Sequence, residues 1–204
     1  MDLQGKVAIV TGAARRLGRT IALALAEQGC HIALHYNRSA QQARHTAEEI
    51  ARYQVGVATV QGELADPHVP QRIVEHAVRQ LGRVDILVNN AAVFLPDGVD
   101  SLGDQTWELT LQVILTAPAR LARAVWPYFR QAGAGKIVNI VDISADRPWP
   151  GYLAYCVSKA GLVCLTKALA RAMAPYVQVN AVAPGVALFS DCLLYTSDAA
   201  DELG

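Results

Sequence analysis

At 204 residues, 52% of them hydrophobic and 18% charged, and with a formal net charge of zero, the chain can bury one α/β core and little more. It has no run of Lys or Arg to suit nucleic acid or an anionic bilayer, so a small molecule is the expected partner. No uncharged apolar run approaches the roughly 20 residues of a membrane span, the first residues lack a signal-peptide pattern, and Cys30, Cys156, Cys164 and Cys192 form neither a metal-ligand set nor a disulfide framework, so a reducing cytoplasm and no metal are expected.

Short β-branched runs alternate with longer segments of helical period. The pattern predicts a strand over 6–11, a helix over 16–28, a strand over 31–35, a helix over 40–52, a strand over 55–60, a helix over 67–80 and a strand over 84–88. A helix over 104–130, a strand over 136–141, a long helix over 152–174 and a strand over 177–182 follow. Six parallel strands with right-handed crossovers make an α/β, doubly wound parallel sheet of the Rossmann type. Its ligands are expected where the strands end, at their carboxyl tips.

The first strand runs into Thr11-Gly12-Ala13-Ala14-Arg15-Arg16-Leu17-Gly18, and a helix begins inside that segment. Small residues there let the backbone approach a pyrophosphate, and free helix N–H groups favour its charge. Taken alone, the segment reads equally well as an ordinary glycine turn, since its spacing is not G-x-G-x-x-G. Arg15 and Arg16 are either solvated charges or partners for a phosphate or an anionic substrate, which would relieve their conflict with the helix dipole. The second strand ends in His35-Tyr36-Asn37-Arg38-Ser39, without an acid to bind a bare ribose 2′-hydroxyl. Arg38 and Ser39 suit a 2′-phosphate, which favours NADPH over NADH unless Arg38 merely solvates a loop.

Asn89-Asn90-Ala91-Ala92 follows the fourth strand, and Tyr155 and Lys159 stand four residues apart on one helix face. A neighbouring ammonium would stabilise the phenolate, and lowering a phenol by about three pKa units would take roughly 4 kcal/mol. Tyr152 has no Lys at the same offset.

In their order and spacing these motifs resemble the short-chain dehydrogenase/reductase family across residues 5–188. The resemblance implies an NADPH-dependent reductase with Tyr155 as proton donor and Lys159 as its activator and a ribose ligand. It implies a cofactor site built on Gly12, Arg15, Arg16, Leu17, Gly18, Asn37, Arg38 and Ser39. Glu63 and Leu64 would lie at the adenine edge, Asn89 and Ala91 along the cofactor, with Pro184 and Gly185 completing the site. It further implies a homotetramer built partly on the helices over 104–130 and 152–174.

Departures from the family pattern narrow the substrate. Thirteen residues before Tyr155, where most of the family has Ser, stands Asp142. Ser144 is expected on the same side of a continuing strand but displaced along it, without the standard role. Asp142, the 11–18 loop, His35 to Ser39, and Phe94 after Asn-Asn-Ala-Ala together resemble the pteridine reductase branch. That implies reduction of a dihydropteridine C=N bond, with Asp142 supplying or relaying a proton alongside Tyr155. Phe94 would stack the pterin on the nicotinamide, and Arg16 would reach the pterin or a cofactor phosphate. The plain alternatives are a loop or capping role for Asp142 and a packing role for Phe94.

Ile114 stands where the family usually has an Asn that supports a water relay to the lysine, and Ala92 where pteridine reductases tend to have Ser. Cys156 reads as helix packing. The rival functions are a carbonyl reductase of the 3-oxoacyl thioester type and an NADP-binding protein with little turnover.

The alternation stops after Ala183-Pro184-Gly185, and residues 192–202 resemble a translated sequencing adapter. Residues 1–188 are therefore read as a single domain and 189–204 as a non-native tail. A final strand and a lid are expected to be missing, leaving the strand from Val177 as an apolar edge.

Overall fold

Alternate side chains of a strand face opposite sides of a sheet, so a run that is apolar throughout needs cover on both faces. β1 (Val7–Val10) is such a run, and β4 (Ile86–Asn89) is one up to Asn89; both are buried along their whole lengths. The computed structural model describes residues 2–185; the 189–204 tail, with its adapter-like stretch, lies outside the described residues. Between those two strands come α1 (Arg16–Glu27), β2 (His31–Tyr36), α2 (Ala40–Ala51), β3 (Val57–Gln61) and α3 (Val69–Leu81). After them come α4 (Asp104–Leu111), α5 (Ala117–Ala132), β5 (Gly135–Ile140), α6 (Leu153–Ala172) and β6 (Val177–Val182).

The six strands pair in the order β3-β2-β1-β4-β5-β6, all parallel. The order reverses between β1 and β4, the switch point where a ligand crevice opens. Ile9, Ala33, Leu87, Ile137 and Val179 point to one face and form a core with α3, α5 and α6. Ala8, Val10, Ile32, Leu34, Ile86 and Val88 point to the other and pack with α1 and α2. β6 is the edge strand of the described sheet: Val177 and Val179 are buried, while Gln178, Asn180 and Val182 are exposed.

The helix expected over 104–130 is divided. A π turn, Gln112–Thr116, separates α4 from α5. Pro118, in the first turn of α5, has no N–H to give the carbonyl of Ile114, so the regular i→i−4 ladder breaks there. The backbone N–H of Ala117 donates to Gln112 O instead, five residues back. The turn sets Leu115 directly on α6, where a Cβ on Gly161 would meet Leu115 Cδ2 at 2.8 Å. Ile114, in the same turn, is buried.

The strand expected over 136–141 does not continue to Ser144. β5 ends at Ile140, and Ile143–Ala145 forms a 3-10 turn. Asp142 caps this turn, its Oδ1 accepting the Ser144 N–H at 2.8 Å. Ser144 itself is buried in the turn, displaced from any strand face.

At the amino ends of the strands, buried Asp85 holds β1 against β4. Val7 N–H donates to its Oδ2 at 3.0 Å, Arg83 donates through Nε and Nη2 at 2.8 and 2.6 Å, and Lys6 Nζ lies 3.7 Å away. A buried carboxylate stripped of such partners costs about 3–5 kcal/mol.

α6 is long and apolar enough, by length and composition alone, to cross a membrane. It carries Lys159 and Lys167, however, and buries Tyr155, Ser158 and Lys159 within the fold.

Candidate active site

Three chain segments meet at the carboxyl ends of β1, β2 and β4 and enclose a cleft of about 500 Å³. The β1–α1 loop supplies Gly12, Arg15, Arg16, Leu17 and Gly18; β2 and its continuation supply Asn37, Arg38 and Ser39; the segment after β4 supplies Asn90, Ala91, Ala92 and Val93. Glu63 and Leu64 close one end.

The loop's conformation demands its glycines. Gly12 has φ +65°, where L side chains are strained. A Cβ on Gly18 would run into the Gly12 carbonyl and lie 2.5 Å from Asn90 Nδ2. Asn90 pins the loop: its Nδ2 donates to Thr11 O at 2.9 Å, while the Asn90 and Ala91 N–H groups donate to Thr11 Oγ1 at 2.9 and 3.0 Å. Arg16, the first residue of α1, adopts φ +52°, a left-handed conformation uncommon for a residue with a Cβ.

The cleft fits a phosphate-rich dinucleotide. The N-terminus of α1 has no capping side chain and no acid in its first turn, so its free N–H groups can take a pyrophosphate. Arg15, Arg16 and Arg38 line the cleft against a single acid among the described lining residues, Glu63, and Asn37 Nδ2 donates to that carboxylate. Arg38 is exposed at the end of β2, open to a 2′-phosphate.

His35 ties two of these segments together. Its Nδ1 accepts the Gly12 N–H at 3.3 Å, its Nε2 donates to Gly62 O at 3.0 Å, and its own carbonyl accepts the Ala13 N–H at 2.9 Å. An imidazolium could not accept from Gly12, so the fold holds the neutral ring. Burial pulls its pKa down to about 4, opposed by the Gly62 carbonyl and Glu63 and assisted by Arg72. The unfolded chain therefore binds a proton between pH 6.5 and about 4 that the folded one refuses. Stability due to this group is complete above pH 6.5 and falls by roughly 3 kcal/mol as the pH drops towards 4. Urea unfolding from pH 7 to 4.5 should show this loss, and His35→Gln should flatten that part of the profile; an unchanged slope would remove His35 as its source.

Beyond the cleft stands the expected catalytic group. Tyr155 Oη donates to Asp142 Oδ2 at 3.1 Å, so one carboxylate both caps the 3-10 turn and meets the phenol. The capping and proton-partner readings of Asp142 are thus compatible. Tyr155 differs from expectation in one respect: its pKa is pushed above that of an ordinary phenol, by burial first and then by the charge and hydrogen bond of Asp142. The Lys159 ammonium lies over the ring face, 5.5 Å from its centre, and donates to Ile140 O at 2.7 Å, away from the hydroxyl. Burial pulls Lys159 down to about 8, with Asp142 resisting.

Phe94 does not stand free. It stacks on Tyr152, centroids 4.1 Å apart and planes within 11°, and meets Tyr155 edge-on at 4.9 Å. Trp149 lies parallel to Tyr155 at 6.3 Å. Phe94 follows Val93, which lines the cleft, and touches Tyr155, so this aromatic group adjoins the cleft. Trp149 and Tyr152 carried no signal of such a role in the sequence, because no local pattern joins them to Phe94.

Other expected residues lie elsewhere. The Asn89 side chain, expected along the cofactor, is turned into the core. There its Nδ2 donates to Asn139 Oδ1 at 2.8 Å, and Asn139 Nδ2 donates to Thr166 Oγ1 at 2.8 Å. Asn90 takes its place in the cleft wall. Pro184 and Gly185 follow β6 and are not among the cleft's lining residues.

A switch-point cleft with an anion-ready loop, beside a buried Tyr-Lys pair, defines an oxidoreductase that works with a nucleotide cofactor. The chain belongs to the short chain dehydrogenase family, whose model matches residues 6–196. It is 35% identical over 181 residues to the 3-oxoacyl-acyl-carrier-protein reductase FabG of Staphylococcus epidermidis, covering 88% of this chain and 74% of that one. Among solved structures it is similar to FolM, alternative dihydrofolate reductase 1, from Brucella canis complexed with NADP. That match has a TM-score of 0.87 and 33% identity over 93% of this chain and 75% of that one. A short chain dehydrogenase from Burkholderia cenocepacia in complex with NADP gives a TM-score of 0.86 at 34% identity, covering 91% and 76%.

Proposed function

We propose that the chain is an NADPH-dependent reductase of a flat, nitrogen-containing ring of the dihydropteridine type. The contact between Tyr155 Oη and Asp142 Oδ2 carries this reading. A carboxylate accepts hydrogen bonds, so it suits the ring N–H and amino groups of a pterin and repels the oxygen of a ketone. A Ser hydroxyl in the same place would donate to that oxygen. The similarity to a dihydrofolate reductase with NADP bound agrees with this choice.

When bound, NADPH supplies the hydride that the ring carbon receives. The chain's own residues supply the rest. Gly12, Gly18 and the start of α1 hold the pyrophosphate, and Arg38 with Ser39 holds the 2′-phosphate. Tyr155, kept protonated by burial and by Asp142, holds the proton destined for the ring nitrogen. Asp142 keeps that hydroxyl aimed and takes the ring's N–H donors. Lys159 places a positive charge beside the ring of Tyr155, offsetting the charge left when the proton departs. Phe94, with Tyr152 behind it, offers an aromatic edge to a flat substrate.

The second reading, reduction of a 3-oxoacyl thioester carbonyl, is favoured by the 35% identity to a 3-oxoacyl reductase. NADPH oxidation followed with a dihydropteridine and, separately, with a 3-oxoacyl thioester decides between them. Turnover of the pterin, lowered about 10²-fold or more in Asp142→Ser, supports the first reading. If only the thioester reacts, or if Asp142→Ser improves it, the first reading fails. Tight NADPH binding without oxidation by either compound would leave a cofactor-binding protein, in keeping with Ile114 buried where a relay residue would stand.

A further inference from the structure

The catalytic helix α6 begins without a cap of its own. Its N-cap residue, Tyr152, makes no side-chain hydrogen bond to the first turn, and that turn contains no acid. The missing partner comes from elsewhere in the chain. Asp97, 1% exposed, accepts the Ala154 N–H at 3.1 Å through Oδ2, while its own N–H donates to Gly151 O at 2.8 Å. Asp97 and Tyr152 also form an isolated parallel bridge. Ala154 immediately precedes Tyr155.

The segment that carries Asp97 also carries Phe94, which stacks on Tyr152. Two anchors three residues apart thus fasten one loop to the first turn of α6, one through hydrogen bonds and one through ring stacking. Asp97 bonds to the backbone beside Tyr155, at Ala154 and Gly151, and so can act on that phenol through where the helix starts and where the hydroxyl meets Asp142.

We propose that Asp97 is a positioning residue for the reaction: by capping α6 from a separate loop it holds Tyr155 within reach of Asp142 and of the substrate. This rests on Tyr155 as the proton donor. An acceptor oxygen at this place is needed and a negative charge is not, so Asp97→Asn should serve nearly as well as the native residue and Asp97→Ala should not. The phosphate-binding loops follow β1 and β2, and the hydrogen bonds of Asp97 go to Ala154 and Gly151 instead; its own segment lines the cleft earlier, at residues 90–93 and Leu95.

The test compares the purified wild type, Asp97→Ala and Asp97→Asn by NADPH titration, by kcat and KM with whichever substrate is turned over, and by amide hydrogen exchange over residues 153–157. For Asp97→Ala we expect kcat to fall about 10- to 100-fold, the range that a displacement of about 1 Å produces, with NADPH affinity unchanged within twofold and faster exchange confined to the start of α6. Asp97→Asn should restore kcat to within about threefold and keep the wild-type pH profile. If NADPH affinity falls in step with kcat, or if Asn is as damaging as Ala, Asp97 is not a positioning residue of this kind. Should the Ala variant not fold, Asp97→Leu, which fills a similar volume without an acceptor, replaces it under the same criteria. The exchange measurement needs no substrate: normal exchange at residues 153–157 in Asp97→Ala overturns the cap itself, whereas faster exchange with kcat unchanged keeps the cap and overturns its positioning role; Tyr155→Phe tests the donor separately.

Discussion

Tyr155→Phe is expected to lower kcat about 10²- to 10⁴-fold, the usual worth of a positioned general acid, while NADPH binds as before. Phenylalanine keeps the ring that Phe94 and Trp149 pack against and removes only the hydroxyl. Asp142 Oδ2 then loses its donor, but Asp142 is half-buried and water can take over, so little stability should be lost. Single-turnover oxidation of NADPH, beside a fluorescence titration of cofactor binding, separates the two effects. Retained turnover would take the acid role away from Tyr155, and lost NADPH affinity would show that the hydroxyl serves binding instead.

Gly18→Ala should weaken cofactor binding about tenfold or more. The added methyl would collide with the Gly12 carbonyl, a backbone atom, and with Asn90 Nδ2, whose position is fixed by its bond to Thr11 O. Neither group can yield without moving the loop that receives the pyrophosphate. Overpacking of this kind costs about 1–3 kcal/mol, so an increase of tenfold or more in the NADPH dissociation constant is expected, together with a lower melting temperature. A variant that binds NADPH normally would mean that the loop is not the phosphate cradle.

The alternation of strands and helices was legible because each apolar run has the period of its element, and predicted and observed bounds agree within two residues for most of them. What escaped the sequence depends on distant packing. Pro118 offered a local reason for the ladder to break, but a π turn rather than a kink follows from how Leu115 meets Gly161 across the helix pair. The 3-10 turn after β5 exists because Asp142 caps it, and a lone Asp after a strand announces nothing of the kind. The four-residue spacing of Tyr155 and Lys159 placed them on one face, yet spacing says nothing about depth. Burial beside a carboxylate moved Tyr155 in the opposite direction to the one expected from its lysine. Strand parity could have placed Asn89 correctly, because it shares its face with Leu87 and so points into the core.

The Asp85 knot and the cofactor cleft lie at opposite ends of the same strands, the knot at the amino ends and the cleft at the carboxyl ends. Between them runs a packed sheet whose middle residues, such as Ile9 and Leu87, neither line the cleft nor bond to the Asp85 side chain. Changes that strengthen or weaken the lower end can therefore accumulate without reshaping the upper one, and effects at such separated sites add independently. A fold divided in this way can absorb drift in stability while its loops explore new substrates. It is a scaffold suited to diversification, with robustness and novelty housed in different places.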